Sequence, residues 1–432
     1  MERRPFLIAG GRVVDPAAGV DGVRDVLLER GRVAAVGRGL RKALARRGDL
    51  EVYDASGRWV LPGLVDIHVH LREPGRTEDE TIRSGAEAAA RGGVTTVVAM
   101  PNTVPVTDSP RVIAAVLRAA RGAAVNILPA AAVTRGQRGR ALTDFEACAA
   151  AGAAAFSDDG LPVADGELMR RALLAAKRLG LPLLDHAEEL GATGPGVLGL
   201  AAARRLGVPG IPADSEVLMA ARDLALAQLT GGPLHLCHVS CAGTVALLRE
   251  AKGRGLAVTA EAAPHHFTLT EGQVPRGRAA ADWKMKPPLR GAADRAAVRA
   301  ALAEGVIDCV ATDHAPHAPR KKARGVCGAP FGVIGLETSL PLSLDLWREG
   351  LLSRLRLVER LSAAPARILG LKRKGTLRRG ADDDVAVVDP GLAWTPRPPY
   401  ASKSRNTPFA GRRLRGRAVL TVVGGRPVWR AA

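Results

Sequence analysis

The chain has 432 residues, 47% of them hydrophobic, which is enough to bury a sizeable core, and aromatics make up only 3%. Its net charge of +19 comes mainly from arginine, 52 of 62 basic residues; these are spread along the whole chain without an aromatic-interleaved basic motif, so they read as solvated surface and not as a nucleic-acid footprint. Five cysteines, an odd number with no CxxC pair, argue against a disulfide framework and for a reducing cytosol.

In chain order, the opening MERRPFLIAGGRVVD has too short an apolar stretch for a signal peptide. No run of about 18 apolar residues occurs, so no membrane span is expected and the cytoplasm is the expected compartment. The first sixty residues read as short strands: LLERGRVAAVG (Leu27–Gly37) predicts two strands joined at Arg30-Gly31, and Gly39–Leu50 is a basic, exposed connection. Apolar runs then recur at Leu61–His70, Thr95–Met100, Val125–Val133, Ala153–Asp158, Leu181–Ala187, Leu234–Val239, Ala257–Ala262 and Val306–Thr312. Most are separated by stretches of helical spacing such as PRVIAAVLRAARG and GELMRRALLAAKRLG. Eight strands alternating with helices over roughly 250 residues predict an α/β fold, a (β/α)8 TIM-like barrel. The last sixty residues return to β-branched strands, Asp384–Asp389 and Arg417–Trp429, the second folded at Gly424-Gly425. The expected division is a barrel over 61–370 and one small β-sandwich domain formed from both chain ends, 1–60 and 371–432.

The polar residues gather at the strand ends. In VDIHVHLREPG (Val65–Gly75), His68 and His70 stand two apart at the end of the first barrel strand and so project together. The following strand ends carry MPN (Met100–Asn102), FSDDG (Phe156–Gly160), DHAEE (Asp185–Glu189), CHVS (Cys237–Ser240), APHH (Ala263–His266) and ATDHAPH (Ala311–His317). Barrel enzymes place their active sites at this rim. All nine histidines lie between His68 and His317. Histidines and carboxylates make zinc-type sites, and His68, His70, His186, His238 and two aspartates exceed one tetrahedral ion, so two ions sharing a carboxylate fit the count better. Paired ions about 3.5–4 Å apart can activate a water between them.

Each motif alone also has a plain structural reading. A single HxH or DH pair is often a satisfied core histidine, and it is the set at successive strand ends that points to a metal. Only one of Asp158 and Asp159 can face inward. His235 is on the opposite strand face from His238 and reads as structural; His265 and His266 read as rim residues or a core pair. Arg72 could clamp a carboxylate in a two-pronged way or pair with Glu73 at the rim. Lys321, Lys322 and Arg324 read as a solvated basic loop. No GxGxxG or phosphate loop is present.

The ordered set VDIHVHLREPG, AMPNT, FSDDG, DHAEE, CHVS, ATDHAPH and APFGVIGLET, with the return stretch KGTLRRGADDDVAVVD, resembles the bacterial class I dihydroorotases of the amidohydrolase superfamily, from about Leu7 to Trp429. The resemblance implies zinc-dependent, reversible opening of dihydroorotate to N-carbamoyl-L-aspartate in pyrimidine synthesis, with two Zn2+ ions, or Co2+ or Mn2+ in their place. It implies that His68, His70 and Asp313 bind one ion, that His186 and His238 bind the other, that Asp159 bridges them, and that Asp313 is the catalytic acid–base. It assigns the substrate to His70, Arg72, Asn102, His317, Lys286 and the backbone around Phe331 and Gly332. Lys286 is a departure: KMKPPLR stands where the family pattern has an Asn, and a charged Lys donates hydrogen bonds but accepts none. Hydantoinases and allantoinases usually bridge with a carboxylated lysine, and no Lys occurs here between Lys42 and Lys177. The rival readings are another cyclic-amide hydrolase of the dihydropyrimidinase or allantoinase type, or an inactive dihydroorotase-like subunit of aspartate transcarbamoylase, which would have lost ligands. A homodimer and association with aspartate transcarbamoylase are the partners to expect beside the small-molecule substrate, and Pro264–Arg290 is the candidate lid.

Overall fold

The computed structural model describes residues 4–431. Both chain ends contribute to one mixed eight-stranded sheet. β1 (Phe6–Asp15), β2 (Val20–Glu29) and β3 (Arg32–Gly37) form an antiparallel meander, with Arg30 and Gly31 in the left-handed turn between the last two. β4 (Glu51–Asp54) and β5 (Trp59–Pro62) lie parallel to β1. The basic connection between β3 and β4 is largely exposed and includes a short helical turn at Leu40–Ala43.

Eight parallel strands follow: β6 (Leu64–Val69), β7 (Val94–Ala99), β8 (Asn126–Ala131), β9 (Ala155–Phe156) and β10 (Leu183–Asp185), then, past a small parallel pair β11 (Leu198–Gly199) and β12 (Gly210–Ile211), β13 (Leu234–Leu236), β14 (Thr259–Ala262) and β15 (Cys309–Val310). Their order in the sheet is their order in the chain, and a bridge between Val69 and His314 brings its two edges together into a nearly closed barrel. β16 (Val385–Trp394), β17 (Leu414–Val423) and β18 (Arg426–Arg430) then return to the first sheet, β16 pairing with β5. The β17–β18 turn falls at Gly424-Gly425.

Two features depart from the apolar runs. The later strands are short because residues near their ends leave extended geometry: His238 and Asp313 have φ of 35° and 47°, which no strand accommodates. The first run, Leu61–His70, is divided. Leu61 and Pro62 pair with Ala386 and Val385 of the other sheet, and the barrel strand starts at Leu64. Gly63 lies between, where a Cβ would meet Thr95 Oγ1 at 2.1 Å and Thr95 Cγ2 at 2.6 Å. Its N–H donates to Asp384 O (2.9 Å) and its carbonyl accepts from Ser362 Oγ (2.7 Å), so this residue ties the two sheets together.

The helices pack outside the barrel by their small apolar faces. Ile82–Arg91 buries Ile82, Gly85, Ala86 and Ala88–Ala90, and its first turn is capped by Thr81, whose hydroxyl accepts from Ser84 N. The first sheet has its own core of Phe6, Ile8, Val26, Leu28, Val60, Val387, Leu420 and others. Another cluster, Val65, Ile67, Val98, Ala130, Ala155, Leu184, Cys237 and Cys309, draws on most of the barrel strands or the residues just beyond them. Four of the five cysteines are buried and all are free. Among the described residues no helix is long and apolar enough to cross a membrane.

Gly63→Ala is expected to destabilise the protein by about 1–3 kcal/mol through overpacking against Thr95. The second substitution Thr95→Ala in the same chain should recover part of that loss, since it removes the two nearest atoms but leaves the residue's Cβ 2.8 Å away. Thermal unfolding of the single and double variants measures both.

Candidate active site

His68, His70, Asp159, His186, His238 and Asp313 come from widely separated strand ends, and all are between 0% and 6% exposed. They form two triads that share Asp159: one with His68 and His70, one with His186 and His238, the ligand atoms of each lying within 4.8 Å of one another. Asp159 Oδ1 is 3.3 Å from His68 Nε2, 3.1 Å from His186 Nδ1 and 3.4 Å from His238 Nε2, while its Oδ2 is 3.2 Å from His70 Nε2. Asp313 joins on one side only, its Oδ1 3.2 Å from His70 Nε2 and 3.6 Å from His68 Nε2. The two acids of FSDDG divide their roles. Asp158 turns away and accepts from the backbone N–H and hydroxyl of Thr134.

A ring of outer groups sets which nitrogen of each imidazole faces inward. His68 Nδ1 donates to Glu261 Oε1 (2.6 Å) and His70 Nδ1 to Asn102 Oδ1 (2.9 Å), while His186 Nε2 faces Glu188 Oε2 at 3.4 Å. With the outer nitrogen protonated, the inner one presents a lone pair. Glu261 is itself held by His235 Nε2 (3.2 Å), so His235 stands behind the cluster and not in it. His265 and His266 are buried as a pair with ring centroids 4.3 Å apart, and His314 bonds Glu80 on another side.

The charges follow from this packing. Burial opposes ionisation of Asp159, yet His68 and hydrogen bonds from His186 and His238 outweigh it and hold the carboxyl well below its ordinary value. Burial likewise opposes a charged His68, but Asp159 and Glu261 raise it well above normal. His186, against its own burial, is raised to about 10 by Asp159 and Glu188. The cluster thus gathers positive charge around Asp159. The donors fit a cation in its place: among the described residues His68 Nε2 is buried without a hydrogen-bond partner, and His186 Nδ1 and His238 Nε2 face each other at 2.9 Å. Two ring nitrogens at that distance need a proton or a metal to share. Buried imidazoles and carboxylates in this arrangement are consistent with divalent metal binding.

A pocket of 340 Å³ opens onto the cluster, lined among others by His70, Asp159 and Asp313 and by every residue the resemblance assigns to substrate: Arg72, Asn102, Lys286, His317, Phe331 and Gly332. Arg72, in the left-handed region at φ 61°, donates from Nε to Pro316 O (3.2 Å) and lies 3.3 Å from His317 Nε2. It does not pair with Glu73, whose carboxylate accepts from Ile82 N instead. His317 is kept neutral: burial, then Arg72 and Lys322, push it down to about 2. Lys286 Nζ pairs with Glu188 Oε2 at 2.9 Å. Burial raises Glu188, but His186 and Lys286 overcome this and bring it down to about 2.

Two residues at the site, Glu261 and Gln137, were not singled out from the sequence, and a third was misread. Glu261 is a lone acid inside an apolar strand, which is a readable sign of a buried partner. Gln137, at φ 53°, donates from Nε2 to Asp159 O (3.0 Å) and lines the pocket, but nothing in TRGQRG marks it. Lys322 corrects an expectation. It is not part of a solvated basic loop, for it is 5% exposed, with Nζ donating to Pro330 O at 2.9 Å, whereas Lys321 beside it pairs with Glu78 and Asp79. The short helix Pro319–Lys322 turns one lysine outward and the next inward.

Residues 57–243 match the family model described as dihydro-orotase-like. A dihydroorotase from Anaeromyxobacter dehalogenans is 51% identical over 98% of this chain and 97% of its own, and one from Pelotomaculum thermopropionicum is 48% identical over 98% of each. Among solved structures, an L-hydantoinase (dihydropyrimidinase) from Arthrobacter aurescens superposes with a TM-score of 0.86 at 26% identity, over 100% of this chain and 96% of that one. The barrel with its added sheet is therefore common to several cyclic-amide hydrolases, and about half identity along nearly the whole of both chains narrows the choice: this chain belongs to the dihydroorotase family.

Proposed function

We propose that the chain is a dihydroorotase, opening (S)-dihydroorotate reversibly to N-carbamoyl-L-aspartate. The observation that carries this reading is one pocket in which a buried guanidinium, Arg72, with no carboxylate oxygen within 4.0 Å among the described residues, lines the same space as Asp159 and Asp313. A cyclic amide bearing a carboxylate needs both features. Hydantoins and dihydrouracil lack the acid group that Arg72 would hold. The centre of the two triads is an aspartate, which also favours the dihydroorotase reading over a hydantoinase with a modified lysine.

In this proposal His68, His70 and Asp313 hold one divalent ion, His186 and His238 the other, and Asp159 both, with zinc as the first candidate and cobalt or manganese as alternatives. When bound, such ions supply Lewis acidity, which lowers the pKa of a water and polarises a carbonyl. The remaining chemistry belongs to the chain. Arg72 and the neighbouring Asn102 and His317 hold the substrate carboxylate and limit it to one pose. Asp313, whose carboxyl burial would raise but His70, His68 and His238 keep low, starts as a base. It accepts a proton as the water oxygen bonds to the ring carbonyl carbon, and donates it to the ring nitrogen as the C–N bond breaks. Ring closure runs the same proton the other way. Lys286 donates towards the ring while Glu188 holds it. The reading also carries the division at 60 and 370, a homodimer, association with aspartate transcarbamoylase and a cytoplasmic location as its further proposals.

A turnover assay on dihydroorotate, dihydrouracil and allantoin tests the reading. Activity confined to dihydroorotate is expected; preference for either neutral ring would overturn it in favour of the hydantoinase-type alternative, and metal-replete protein with no activity would favour the inactive subunit. Asp313→Ala should lower kcat by at least about 100-fold with the fold intact by circular dichroism. Glu261→Gln should weaken divalent-metal affinity by about 10–100-fold in competition with a chromophoric chelator, because the carboxylate charge that orients His68 and raises its basicity is lost.

A further inference from the structure

A buried cation ordinarily has an acid beside it or gives up its proton. Arg72, Lys284 and Lys322 are 4%, 2% and 5% exposed, and among the described residues none has a carboxylate oxygen within 4.0 Å. Their donors go to the main chain. Lys284 Nζ donates to Ala329 O (2.7 Å) and Cys327 O (3.2 Å) and stands 4.3 Å over the Phe331 ring. Lys322 Nζ donates to Pro330 O (2.9 Å) and Lys284 O (3.4 Å), and Lys284 O also accepts from Gly332 N (2.9 Å). The two lysines therefore hold the backbone that brings Phe331 and Gly332 to the pocket, while Arg72 holds Pro316 beside His317.

Carbonyl dipoles solvate an ammonium without cancelling its charge, and in a poorly hydrated interior that charge is felt over several ångströms. The titratable neighbours of the two lysines do not cancel it, while Asp79, Asp313 and Asp159 act on Arg72 from beyond ion-pair distance. Around Lys322 stand Asp282 and Lys284 from the turn before the pocket, Arg72, and, around a hollow of 320 Å³, Arg278, His317 and Arg405. Around Lys284 stand Cys327 and Lys286. Asp282 is the one carboxyl in this set, and burial raises its own pKa.

We propose that Lys284 and Lys322 are positioning residues for an anionic substrate: with Arg72 they leave one wall of the pocket short of a negative charge, which the carboxylate of the ligand supplies. This rests on the dihydroorotase reading for the identity of the ligand. Burial first, then Lys284 and Arg72 against the pull of Asp282, bring Lys322 down to about 7; burial brings Lys284 down to about 8. An anion favours the protonated lysines. Its binding is therefore strongest below these values and weakens as pH rises through them, with proton uptake on binding near neutrality.

The test uses orotate and uracil, planar rings that differ by the carboxylate, titrated calorimetrically into metal-loaded protein between about pH 6 and pH 9, a span that covers both lysines. Lys322→Met is expected to weaken orotate about tenfold at the acid end while uracil changes less than about twofold. It should also flatten the pH dependence of orotate binding, since the titrating ammonium is gone. Lys284→Met carries the same binding expectation should the first variant fail to fold, and Lys284→Arg should keep orotate affinity. Equal losses for both rings would mean that the lysines only prop the loop, and unchanged orotate affinity would mean that their charge is not felt; either result overturns the proposal. Wild-type protein that discriminates orotate from uracil yet does not open dihydroorotate would sink the functional reading and leave the charged wall standing.

Discussion

The arrangement depends on one buried carboxylate. Asp159 is the only residue common to both triads, within 3.4 Å of four imidazole nitrogens. A lone anion at that depth is costly, and imidazoles with inward lone pairs do not neutralise it by themselves. Protons shared around the cluster can do so, and so can cations, which would also satisfy His68 Nε2. The outer residues then have a clear purpose. Glu261, Asn102 and Glu188 meet the far nitrogens of His68, His70 and His186, so that the near ones converge on Asp159.

The barrel makes that convergence geometrically affordable. Groups more than 200 residues apart meet because parallel strands end at one rim, and local backbone bends finish the work. Arg72, His238 and Asp313 all take left-handed φ values, a conformation that non-glycine residues adopt only when their surroundings hold them there. Hydrogen bonds supply some of that support: Arg72 reaches Pro316 O, and His238 N donates to Glu261 Oε1. The added sheet anchors the first barrel strand through Gly63, directly before the His68–His70 pair. Opposite chemical demands are thereby kept apart, with the acids around the imidazoles and the buried cations behind Phe331 and His317.

Much of this was legible in the sequence, and the reason is periodicity. Two-residue spacing placed His68 and His70 together, and alternation of apolar runs with helical stretches gave the barrel. The constraint that only one acid of FSDDG could face inward held, with Asp159 inward and Asp158 on Thr134. What escaped depends on which distant residue lies alongside. Nothing local to Lys322 tells it from Lys321; their fates diverge because a short helix turns one towards Pro330 and the other towards Glu78. The split of the first apolar run at Gly63 was hidden for a similar reason, since the obstacle is Thr95 on the next strand. Glu261 was the readable omission: a carboxylate amid alanines in a core strand requires a partner, and its partners are two of the nine histidines.

The most direct measurement of the central idea is anomalous diffraction from crystals of the metal-loaded protein. Two peaks are expected flanking the Asp159 carboxylate, one next to His68, His70 and Asp313, the other next to His186 and His238. Ions bound away from Asp159, or a fully loaded and active enzyme with density in only one triad, would contradict it.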